Sequence, residues 1–161
     1  MTTREYNNCV KLYADGIYRF VLKNLANEAD AQDVVQNTFE KTWRRYDEVD
    51  FKKAKSFLFT VAYHDMIDLI RKRKFIKQSA EVPEKAVRDF QNQLEAKEIM
   101  NLSLEELPAI QKSLIMLRDY EGYNYEEIAT ITELSLSQVK VYLFRARKKM
   151  QQVVTRLERA V

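Results

Sequence analysis

Three groups of residues in this chain have the types and the spacing to do chemistry. In the last of them, Lys140, Arg145 and Lys148 fall on the outer side of one long helical pattern, together with Ser137, Gln138, Val141 and Phe144. Cations there neutralise phosphate or bind guanine edges, a Gln amide can pair with adenine through two hydrogen bonds, and Val or Phe can touch thymine methyl groups. In the second, Arg71, Lys72, Arg73 and Lys74 follow Tyr63 and His64 by about two helical turns. Cations beside planar rings suit a single nucleic-acid strand, whose phosphates need neutralising and whose bases need a surface to stack on. In the third, Asp33 and Gln36 stand three residues apart, so a carboxylate and an amide project from one side of a helix toward Arg and other donors on a partner. Each group also has a plain reading: solvated helix faces for the cations, core packing for the aromatics, a first-turn dipole partner for Asp33. Arg147, at the flank of the last group, is equally suited to DNA contact and to laying its stem over the core.

No catalytic constellation accompanies them. There is no Cys with a His base, no activated Ser and no Gly-rich phosphate loop; the chain has one His and two Gly in 161 residues. The chain is therefore expected to be a non-enzyme without cofactor. His64 with Asp65 and Asp68 lacks a converging ligand set, so no metal is expected either. Cys9 is the only cysteine, which excludes an internal disulfide and points to a reducing compartment. The first residues, MTTREYNNCV, do not resemble a secretory signal, and no apolar run approaches the roughly 20 residues of a membrane span. With a mean hydropathy of -0.47 the expectation is a cytoplasmic protein with no membrane insertion.

Net charge is only +3, from 27 basic and 24 acidic residues, but it is unevenly placed. Residues 51–78 hold eight basic and two acidic side chains, and residues 135–161 hold seven basic and one acidic, each net +6. Residues 28–50 are net -4 and residues 79–134 net -7. Two basic segments separated by acidic ones predict two contacts with a polyanion and a surface kept away from it.

The elements that must position these groups are helices. Two glycines leave little for hairpins or doubly wound sheets, so the fold class is all-α. Tyr6, Val10, Tyr13, Ile17, Val21 and Leu25 predict a first helix; Asp30 is read as the cap of a second, with Val35, Phe39, Thr42, Trp43 and Tyr46 on one face; a third runs from about Lys53 to Lys74. From about Phe75 to Gln91 strong apolar positions are few and Pro83 intervenes, which predicts a linker and a break in the core. Helical periodicity resumes at Leu102 and Leu107, with Pro108 at a helix start and Gly122 at a stop. Asn124 with Glu127, then Ser135 with Gln138, have the spacing of two capping boxes, and Val139, Leu143, Ala146, Met150, Val153 and Leu157 form the buried face of the last helix. A short helix, a turn at 132–135 and a longer basic helix make a helix-turn-helix.

Three stretches carry a family resemblance. AQDVVQNTFEKTW at 31–43, SFLFTVAYHDMIDLIRKRK at 56–74 and LEELPAIQKSLIMLRDYEGYNYEEIATITELSLSQVKVYLFRARKKM at 104–150 resemble, in order, regions 2.2, 2.3–2.4 and 4 of the two-domain, extracytoplasmic-function type of bacterial sigma factor. That family gives RNA polymerase its promoter specificity. The resemblance implies two small helical domains, with region 2 over 1–76, a linker over 77–100 and region 4 over 101–161. It implies that Asp33, Gln36, Asn37 and Glu40 dock on core polymerase. Tyr63, His64 and Arg71 to Lys74 would meet the minus-ten element, and Ser137, Gln138, Lys140, Val141, Tyr142, Phe144, Arg145 and Lys148 the minus-thirty-five element. The implied partners are bacterial core RNA polymerase, promoter DNA and an anti-sigma factor. The sequence departs from the family pattern at Gln32 and Asn37, usually acidic, at His64, usually Asn, and at Ser137, Gln138, Val141 and Tyr142 in the recognition helix, which leaves the promoter sequence unassigned. Two other readings compete: a helix-turn-helix regulator whose N-terminal bundle dimerises or senses, and a helical adaptor that binds only protein.

Overall fold

A computed structural model describes residues 1–77 and 96–159, and the described residues are helical with no strand. The first bundle has three helices: α1 (Thr3–Leu25), α2 (Glu28–Arg44) and α3 (Ala54–Lys77), the last entered through a 3-10 turn at Phe51–Lys53. Thr2 and Glu5 close α1 with a reciprocal capping box. The cap of α2 is Asn27 and not Asp30: the Asn27 side chain accepts the Asp30 N–H at 3.0 Å. Asn27 has the extended backbone a cap requires, whereas Asp30 already lies in the first turn. The buried face of α2 is correspondingly turned, with Ala31, Val34, Thr38, Phe39 and Thr42 inside and Trp43 45% exposed. Thr38 and Thr42 enter the core because their hydroxyls donate to the carbonyls of Val34 and Thr38, at 2.7 and 2.8 Å, leaving only methyl groups to pack. Ile17, Phe20 and Val21 of α1 meet Leu58, Phe59, Ala62 and Met66 of α3, all nearly or fully buried.

The second bundle is α4 (Ala96–Glu105), α5 (Ala109–Ile115), α6 (Tyr125–Thr132) and α7 (Leu136–Arg159). Residues 96–100, expected in the linker, are the opening of α4; the remainder of that segment from 78, and with it the predicted break around Phe75 to Gln91, lies outside the described residues apart from the end of α3. Pro108 caps α5, which runs into a π-helical stretch at Met116–Tyr120, and Gly122 at φ +76° ends it. Both expected capping boxes form, and the buried face of α7 is Val139, Leu143, Ala146, Met150, Val153 and Leu157, as its three- and four-residue spacing requires.

The core continues from one bundle into the other. Phe59 packs edge-on against Phe20 at 5.6 Å within its own bundle and against Tyr123 of the second at 5.8 Å. Lys55 lies over the Tyr123 ring at 5.2 Å and reaches Glu121 at 3.7 Å. Ser113 donates to the Asn24 amide oxygen at 3.2 Å, and Lys23 to Asn101 at 2.6 Å. Burial pushes the Tyr123 phenol well above its ordinary range, so it remains a neutral part of this contact.

One local strain is open to test. Ala26 ends α1 in the left-handed region at φ 52°, where a β-carbon is disfavoured and glycine is not. Ala26→Gly should stabilise the protein by about 0.5–1 kcal/mol. A rise in melting temperature with unchanged helicity is the expected result of a thermal scan.

Candidate nucleic-acid and partner interfaces

On α7 the two faces separate cleanly. Ser137, Gln138, Lys140, Val141, Phe144, Arg145 and Lys148 are all exposed, with Val141 at 44% and Phe144 at 68%. Tyr142 is not among them: it is half-buried and packs against the core, since it neighbours Leu143 and Val139 around the helix. Gln138 is exposed but engaged, because its amide oxygen accepts the Ser135 N–H at 2.9 Å in the capping box, so pairing with adenine would require that bond to open. Arg147 is held on the flank, 3.3 Å from Asp119 and beside Tyr125, whose phenol it pulls below the ordinary value. Arg118 stacks over the same Tyr125 ring at 5.1 Å and donates to the Tyr123 carbonyl at 3.0 Å. Tyr125, Lys140, Phe144, Arg147 and Lys148 thus line one groove between α6 and α7. From Leu136 to Leu157 the helix carries no acidic residue. Such a surface fits a polyanion, with apolar groups at its centre and cations around them.

The second group is only partly brought together. Tyr63 is 3% exposed and belongs to the core, with its ring edge-on to His64 at 5.2 Å; burial pushes its phenol up, and it offers no face for a base. Its place in α3, one residue after Ala62 and four after Phe59, puts it on the buried side. His64 is half-exposed, and its Nε2 lies 3.9 Å from Glu133 in the turn of the helix-turn-helix. Arg71, Lys72 and Lys74 are exposed at the end of α3, whereas Arg73 is ion-paired with Asp30 of α2 and ties those two helices. Lys72 faces a groove lined by Asp30, Asp33, Asp65 and Asp68.

The third group forms a stripe. Asp33, Gln36, Asn37 and Glu40 are all exposed on α2, and the Gln36 amide donates to Glu40 at 3.4 Å. Trp43 extends this stripe, stacked on Tyr46 at 5.0 Å and tilted against Tyr6 at 4.9 Å. The apolar pattern of α2 predicts Trp43 on the inner face, but the ring is 45% exposed. Its position three residues after Glu40 and seven after Gln36 was the signal for the outer side.

A family model described as sigma-70 region 2 matches residues 9–76, and one described as sigma-70, region 4, matches residues 97–150. The chain is 30% identical to the ECF RNA polymerase sigma factor SigM of Bacillus subtilis over 91% of its own length and 93% of that protein's. It is 30% identical to the RNA polymerase sigma factor SigV of the same organism, covering 92% of this chain and 90% of the other. Among solved structures, the sigma factor RpoE of Bartonella quintana, in complex with the anti-sigma factor NepR, superposes with a TM-score of 0.76 at 23% identity, over 95% of this chain and 98% of that one.

Proposed function

This chain belongs to the sigma-70 family of the extracytoplasmic-function type, and we propose a division of labour between its two bundles. It is a promoter-specificity subunit of bacterial RNA polymerase, binding core enzyme and recognising minus-thirty-five and minus-ten promoter elements to initiate transcription. The first bundle, residues 1–76, docks on core through the exposed Asp33, Gln36, Asn37 and Glu40 and meets the minus-ten element with Arg71, Lys72 and Lys74. The second, residues 101–161, reads the minus-thirty-five duplex with the outer face of α7. The observation that carries this division is charge: the α2 stripe lies in a segment of net -4, which repels DNA, whereas α7 is cationic and free of acid over 22 residues.

Catalysis belongs to the polymerase in this reading, and the chain works beside it in the cytoplasm. No helix among the described residues is long and apolar enough to cross a membrane. An anti-sigma factor is its partner off the polymerase, by likeness to the sigma factor RpoE, whose structure holds one.

In vitro transcription with bacterial core polymerase on a random-promoter library tests the assignment. Transcripts dependent on the chain, from templates sharing two sequence elements, are the expected result. Sequence-specific DNA binding without any stimulation of core would instead identify a regulator.

A further inference from the structure

Glu121, Gly122 and Tyr123 form a short loop between the π-helical stretch and α6, and two of its side chains sit on the other bundle. Gly122 turns the chain at φ +76°; the Tyr123 N–H then donates to the Leu117 carbonyl at 3.0 Å, and Arg118 donates to the Tyr123 carbonyl at 3.0 Å. Braced from its own side in this way, the loop presents a carboxylate and a ring two residues apart. On α3, Lys55 takes both, lying 5.2 Å from the Tyr123 ring centre and 3.7 Å from the Glu121 carboxylate, while Phe59 meets the ring edge-on. Tyr123 is thereby left 5% exposed. Two polar atoms are stranded at the same junction. The Tyr123 hydroxyl lies near Ser56 without a hydrogen bond of normal geometry, and His64 Nε2 is buried 3.9 Å from Glu133. Water pairs both once the bundles separate, so the contact is weaker than its ring packing alone would make it.

Molecular size gives this contact a role. Elements at minus ten and minus thirty-five are about 25 base pairs apart, roughly 85 Å along a straight duplex. A packed body of 161 residues has a radius of gyration of about 15 Å and hence a diameter of about 40 Å. Closed, the molecule cannot reach both elements. We propose that Glu121, Gly122 and Tyr123 are a tethered latch that holds the free chain closed through Lys55 and Phe59, and that its release is a step in promoter engagement. The inference rests on the two-element reading above and adds the residues that restrain it. Only open molecules are competent, so apparent affinity is reduced by the open fraction.

The test uses the full chain in four forms: unaltered, Lys55→Glu, Glu121→Lys, and both substitutions together, which exchanges the charges. Small-angle scattering reads the separation of the bundles. Titration into core polymerase, with a promoter duplex selected from the random library, reads the chain concentration that gives half-maximal strand opening. Each single reversal sets like charges at the latch; it should enlarge the radius of gyration and lower that concentration about three- to tenfold. The exchange should restore both values. Helicity of all four forms should be equal, because neither side chain is in the buried core of a bundle. Either readout unchanged in the single variants overturns the inference. So does an exchange that stays open, since the reversals would then have loosened the bundles themselves. Failure of the unaltered chain to open any promoter with core removes the two-element reading and takes the inference with it.

Discussion

Asp33→Arg combined with Gln36→Ala will strip the chain from core polymerase, with an expected loss of at least about 100-fold in affinity. Like-charge contact at a protein interface costs several kcal/mol, and the lost amide adds to it. Both residues are exposed on α2, so helicity and melting should not change. Arg71→Ala with Lys74→Ala should do the opposite, leaving core association within about twofold while strand opening fails, because these cations lie at the end of α3 in the segment of net +6. Arg73 is retained in that variant because its guanidinium pairs with Asp30, so its removal would disturb the packing of α2 on α3. Co-purification with core and permanganate reactivity of the promoter, measured on the same proteins, separate the two effects. Equal loss of core binding in both variants would show that the stripe and the basic helix end do not act apart.

Phe59→Ala is expected to have the largest effect on stability. The ring is 1% exposed and is the hinge of two edge contacts, to Phe20 in its own bundle and to Tyr123 in the other. Truncation of a buried Phe costs about 3–5 kcal/mol, out of a total that for most domains is about 5–15 kcal/mol. In a chain of this size that lowers the melting temperature by roughly 10 °C. Phe144→Ala, which removes the same ring from solvent, should stay within about 0.5 kcal/mol. Similar melting of the two variants would place Phe59 outside the core.

The contrast between α7 and α2 shows which parts of this molecule its sequence discloses. In α7 six apolar residues keep a helical spacing over five turns with cations opposite, and a capping box marks the start, so one face alone can be buried. In α2 aromatic and aliphatic residues occur on both sides, and Asn27, Asp30 and Asp33 are all competent caps; only packing against α1 and α3 selects Asn27 and leaves Trp43 outside. For a related reason the pattern leaves the side of Tyr63 open, since a Tyr beside a His suits a base-stacking surface as well as a core, and packing turns it inward. The outward placement of Lys140, Val141, Phe144, Arg145 and Lys148 follows from periodicity, whereas the turning-in of Tyr142 and the engagement of Gln138 depend on neighbours. The junction between bundles was invisible, because nothing local in Lys55, Phe59 or Tyr123 marks them as partners.

That junction has a consequence in time. Lys23 meets Asn101 across 78 positions of the chain, and Asn24 meets Ser113 across 89, whereas the first bundle is assembled from three helices that follow one another within the first 77 residues. Helices that pack on their sequence neighbours form early, and contacts between distant segments wait for the later one to exist. On a ribosome adding about 5–20 residues per second, the first bundle is complete several seconds before Tyr123 has been made. During synthesis Lys55 and the outer edge of Phe59 are therefore bare. Each newborn molecule begins with its first bundle open to partners, and the seal over that surface arrives only with the second half of the chain.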